Sequence, residues 1–141
     1  MLTTAILYSI ISIAPAAAYC ERQADQLPEA CIVEFTRSRF IYNRSPGVEL
    51  NIADVRGLKY WTGDCTEFAI TLSTMLIESG LVEREEITYK QFYNSDQKDK
   101  HIMVYFSGWY ADQDGLRRAP EKKYSYLKTY NLDRVEINVI P

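Results

Sequence analysis

The sequence predicts an α+β domain: one amphipathic helix followed by a mostly antiparallel sheet. Three observations predict it. Apolar residues recur at three- and four-residue steps after Cys65. The stretch "HIMVYFSGWYAD" reads as two β-rich runs joined by a tight turn. Strand-like runs then continue toward the C-terminus without further helical periodicity, which argues α+β rather than a doubly wound fold. The 141 residues leave room for one domain and one core. Apolar content of 47% and charged content of 25% are ordinary for a folded chain. Eleven tyrosines fit a sheet-rich component. The net charge of -3 argues against a nucleic-acid partner, because phosphate binding wants concentrated Lys and Arg.

At the N-terminus, "MLTTAILYSIISIAPAAA" carries no charge. An apolar run from Ala5 to Ile13, then Pro15 and Ala16–Ala18, has the form of a signal-peptide core and cleavage site, although no Lys or Arg precedes it. The run is short of the roughly 20 apolar residues a membrane span needs, and Pro15 interrupts it. The expectation is cleavage after Ala18, a mature single domain over 19–141, a secreted or periplasmic location and no stable membrane insertion. Tyr19 stands before Cys20 where a lipoprotein signal wants a small residue. In an exported chain, Cys20 and Cys31 are expected to pair, which leaves Cys65 as the odd thiol. The alternative is three small buried hydrophobes.

Residues 19–45 are harder to read. Cys31–Phe35 looks like a short strand, "RSRFIYN" fits either state, and "NRSPGVE" is a turn by its Pro-Gly pair. Asn43-Arg44-Ser45 matches a glycosylation sequon, but Pro46 disfavours it. The helix is clearer. Phe68, Ala69, Leu72, Leu76 and, at the edge, Met75 form one face. Thr62 and Asp64 are candidate N-caps, and Gly80 stands where a C-terminal cap ends, so the helix runs from Cys65 to about Ser79. "EEITYKQFY" is strand-like, "NSDQKDK" is a polar loop, and the hairpin follows. "DQDG" breaks the chain, and "KYSYLKTYN" and "RVEINVIP" read as a further hairpin or two edge strands.

Three residues form a chemical constellation. A cysteine at a helix N-terminus meets unpaired N–H groups and the positive end of the dipole, which favour the attacking thiolate. His101 is the only histidine and opens a strand. If "HIMVYF" and "WYAD" pair, His101 and Asp112 close the hairpin at the same end, where the aspartate can orient the imidazole. Asp114 is the alternative, and strict counting from the turn favours it. The bland reading of both is turn chemistry, since Asp-x-Asp-Gly is a common loop exit and too short for a calcium loop.

Together "GDCTEFAITLSTMLIESGL", "HIMVYF" and "GWYAD" resemble the core of the transglutaminase-like superfamily, in particular bacterial transglutaminase-like cysteine peptidases. The likeness covers about residues 57–115. It implies a papain-like core, with the cysteine-bearing helix packed on an antiparallel sheet. It also implies Cys65 as nucleophile, His101 as base and Asp112 as orienting acid, with a protein or peptide substrate and no metal or other cofactor. The family's aromatic stretch is reduced to "KYWTGDC", and no upstream Gln offers an oxyanion donor. The Cys65 N–H is one candidate donor, and Trp61 or Tyr60 a second. Asp64 and Glu67 flank the thiol, and helix capping is the role expected of them. The expected reaction is thiol-mediated acyl transfer on an amide, with water as the acceptor. The rivals are an exported binding module that keeps the fold without turnover, and, more remotely, a nucleic-acid binder using "EKKYSYLKTYN".

Overall fold

The computed structural model describes residues 19–20, 25–43, 51–55 and 58–132, with backbone alone at 51–55 and 58–60. The expectations for the leader 1–18, for "RVEINVIP" and for most of "NRSPGVE" lie outside them. The chain is α+β; the described residues form two full helices, a small three-stranded sheet and a five-stranded antiparallel sheet.

Helix α1 spans Pro28–Ser38. It corrects the expectation of a strand at Cys31–Phe35. The β-branched Ile32 and Val33 suggested extended chain, yet Pro28 opens the helix at its first turn, where the missing N–H costs nothing. Cys31, Ile32, Val33 and Thr36 are buried. The buried Thr36 hydroxyl donates to the Ile32 carbonyl one turn back at 2.8 Å. A disulfide joins Cys31 to Cys20, with Cα atoms 5.6 Å apart.

Three short strands follow: β1 (Phe40–Tyr42), β2 (Asn51–Val55) and β3 (Leu58–Gly63). β3 lies in the middle, parallel to β1 and antiparallel to β2. This sheet carries the chain into the second helix, α2 (Cys65–Glu78). The expected apolar face is buried: Phe68, Ala69, Leu72, Met75 and Leu76 are each at most 2% exposed. Two buried hydroxyls of α2 are satisfied within the helix: Thr71 and Ser73 donate to the carbonyls of Glu67 and Ala69. Gly80, at φ 79°, follows the C-cap Ser79. That left-handed conformation is the one glycine adopts without strain.

The larger sheet has β4 (Thr88–Asn94), β5 (Asp99–Phe106), β6 (Trp109–Asp112), β7 (Gly115–Arg117) and β8 (Tyr124–Asn131) in the order β7-β6-β5-β4-β8. The β5–β6 turn pairs Phe106 with Trp109, and both turn residues, Ser107 and Gly108, have positive φ. This is the twist that two-residue hairpins prefer. β8 pairs with β4 rather than with a neighbour in sequence. α2 joins Val104, Phe106, Ala111, Ile87 and Tyr89 in the main core, and the Tyr89 hydroxyl donates to the Ala69 carbonyl. A smaller cluster of Phe92, Met103 and Tyr124 lies apart from it.

Candidate active site

The segment Gly63-Asp64-Cys65 has a local reason for each residue. Asp64 is the N-cap of α2: its Oδ1 accepts the N–H groups of Thr66 (2.9 Å) and Glu67 (3.4 Å). Glu67 closes the capping box by accepting the Asp64 N–H at 3.4 Å. Glu67 is 2% exposed, and a Cβ on Gly63 would stand 2.4 Å from the Glu67 Cβ. Only a glycine lets β3 pass so close to the first turn. Cys65 is thereby the first residue of α2, half-buried and a free thiol. Asp64 takes two of the first-turn N–H groups. The Cys65 N–H belongs to the set that a helix leaves without an internal acceptor, so it is chemically fit to donate to an oxyanion. Trp61, the second candidate donor, lies in β3 and packs against the main core. The Tyr60 side chain lies outside the described residues.

His101 is buried near the start of β5, 6% exposed. Its Nε2 is 2.8 Å from Asp112 Oδ2. The register explains the pairing. Val104 faces Ala111, so Asp112 stands opposite Met103, and His101 lies two residues further along β5 on the same face. An imidazole bridges that diagonal. Asp114 does not reach the ring. It is exposed in the turn into β7, and its N–H donates to Asp112 Oδ1 at 2.9 Å. Cys65 lies close enough to the same imidazole to favour its charged form. Nε2 is engaged with Asp112, which leaves Nδ1 as the ring nitrogen open to another partner.

The electrostatics reinforce this order. Burial pulls the His101 imidazole down, but the hydrogen bonds and charges of Asp112 and Cys65 outweigh it and push it up to about 9. Burial likewise pushes the Asp112 carboxyl up. The His101 hydrogen bond, the Arg117 and His101 charges and the Asp114 N–H together hold it below its usual value. An ionised Asp112 can only accept, so His101 Nε2 carries the proton between them.

Two further residues touch the pair, and both were missed in the sequence. Arg117 Nη2 is 2.5 Å from Asp112 Oδ1. The signal for it was present: a two-residue turn at Gln113-Asp114 sets Asp112 against Gly115 and Tyr110 against Arg117, on one face. Tyr124 stacks on the His101 ring, with centroids 5.1 Å apart and planes 23° apart. No local pattern announced it, because β8 finds β4 across some 30 residues of chain. Two of the three lysines of "EKKYSYLKTYN" lie over tyrosine rings of the same segment, Lys123 over Tyr124 and Lys128 over Tyr130.

Among the described residues no group of three or more His, Cys, Asp or Glu could hold a metal ion. No helix there is long and apolar enough to cross a membrane. No protein-family model matches the chain, and no curated protein matches it at a significant level.

Proposed function

We propose that the chain is a thiol-dependent acyl-transfer enzyme of the transglutaminase-like, papain-like kind, hydrolysing an amide bond in a protein or peptide. The observation that carries the reading is the His101 ring held 2.8 Å from the Asp112 carboxylate, with the half-buried Cys65 near enough to bear on the same ring. The placement of Cys65 as first residue of a capped helix adds to it. The disulfide between Cys20 and Cys31 supports export to an oxidising compartment.

In this mechanism the Cys65 proton passes to His101 Nδ1, and the sulfur attacks the amide carbonyl. The Cys65 N–H donates to the developing oxyanion. The carbon–nitrogen bond breaks, and the leaving amine takes the imidazolium proton. Water then attacks the thioester and gives a proton to His101. The carbon–sulfur bond breaks, and the proton returns to the thiol. Asp112 keeps the ring in one tautomer and stabilises its charged form throughout.

The test is incubation of the protein with a complex peptide mixture, read by mass spectrometry. Cleaved peptides and a thioester on Cys65 are expected, both lost in Cys65→Ala. Identical peptide profiles for the wild type and Cys65→Ala, with no adduct on Cys65, would leave the binding-module reading in its place.

A further inference from the structure

We propose that Arg117 is a positioning residue for the candidate site: it holds the Asp112 carboxylate in the orientation that accepts the His101 ring N–H. The inference rests on the reading of Cys65, His101 and Asp112 as the reacting set, and it adds a group that the triad does not contain.

A carboxylate on a short side chain is free to turn about its own axis. Asp112 has both oxygens committed instead. Oδ1 takes Arg117 Nη2 at 2.5 Å and the Asp114 N–H at 2.9 Å, which leaves Oδ2 for His101 at 2.8 Å. Arg117 is itself fixed. It sits on β7 opposite Tyr110, and its Nη1 donates to Glu121 Oε1 at 2.9 Å. The planar guanidinium gives the two partners separate nitrogens, which a lysine cannot do. The Glu121 carbonyl in turn accepts the N–H of Tyr124, whose ring lies on His101. The connection from β7 to β8 therefore grips the pair at both ends, Arg117 on the carboxylate and Tyr124 on the imidazole.

Two effects of Arg117 on His101 oppose each other. Its positive charge dilutes the pull of Asp112 on the imidazolium, whereas its grip keeps the hydrogen bond made. Asp112 is 1% exposed, and water does not replace a lost partner there. Orientation should therefore outweigh charge. The other groups that bear on the ring are Cys65 and Tyr124, and those that bear on Asp112 are Asp114 and Tyr124, with Glu121 and Lys123 beyond them.

His101 is the only histidine, so protein labelled with nitrogen-15 histidine gives one titrating ring. Arg117→Ala is expected to lower the His101 midpoint by about one unit or more, the size of a lost charged partner. Arg117→Lys should recover part of it, and Glu121→Gln should leave it near the wild-type value. An unchanged or raised midpoint in Arg117→Ala overturns the proposal. If that variant does not fold, Arg117→Met keeps the stem and is read the same way. Failure of both to fold makes Arg117 a folding residue and also overturns the proposal. The readout is the ring rather than turnover, so an inert Cys65 would refute the reaction and leave this result standing.

Discussion

Gly63 shows at the scale of one residue why the cysteine stands where it does. A methyl group there would meet the Glu67 Cβ at 2.4 Å and its Cγ at 2.7 Å. Glu67 is buried and tied to the cap, so the first turn of α2 must shift. Gly63→Ala should cost roughly 1–3 kcal/mol, as overpacking does, in urea unfolding. It should also slow reaction of Cys65 with iodoacetamide. Unchanged stability would mean that β3 moves away freely. His101 makes the second prediction at this scale. Its imidazole, pushed up to about 9, titrates near ~6.5 in an unfolded chain. A raised folded value gives stability that is complete below the unfolded value and lost as pH climbs through the folded one. The urea midpoint of the wild type should therefore fall between about pH 6.5 and pH 9 relative to that of His101→Gln. Asp112 acts in the opposite sense: its lowered value gives stability present at neutral pH and lost as acid protonates it. Parallel curves for the two proteins on the alkaline side would contradict the His101–Asp112 pairing.

Among the elements, α2 was legible because its apolar face repeats without interruption from Phe68 to Leu76 and is bounded by Asp64 and Gly80. The β5–β6 hairpin was legible because its turn is two residues long. α1 was not. Its short buried face of Cys31, Ile32, Val33 and Thr36 carries two β-branched residues in a row, which mimics a strand. The strip β1–β3 escaped for another reason: a parallel pair of three residues leaves no local period. In the site, Cys65 and Asp112 were singled out because one begins α2 and the other ends β6, whereas His101 is the chain's single histidine and stands two residues inside β5, which starts at Asp99 rather than at the histidine. Arg117 and Tyr124 depended on which strands pair. The disulfide carries the prediction at this scale. It ties α1 to Cys20 across a sequence separation of 11, a loop whose closure is worth roughly 2–3 kcal/mol. The double variant Cys20→Ala, Cys31→Ala should lose about that much in urea unfolding while Cys65 keeps its reactivity. Loss of Cys65 reactivity in a folded double variant would mean that α1 shapes the site.

The whole molecule brings the start of a helix, the start of one strand and the end of the next to one place. α2 packs its apolar face on the five-stranded sheet, and Cys65 at its first turn bears on the His101 imidazole. A surface cysteine in ordinary surroundings reacts only as its thiol ionises, near pH ~8.5. A thiol that shares its proton with an oriented imidazole reacts well below that. The most direct measurement is the rate of Cys65 alkylation by iodoacetamide from pH 5 to pH 10, in the wild type and in His101→Gln. The account predicts fast reaction at pH 6 in the wild type and a drop of about tenfold or more at that pH in His101→Gln. Two superimposable profiles, both rising only above about pH 8, would contradict it.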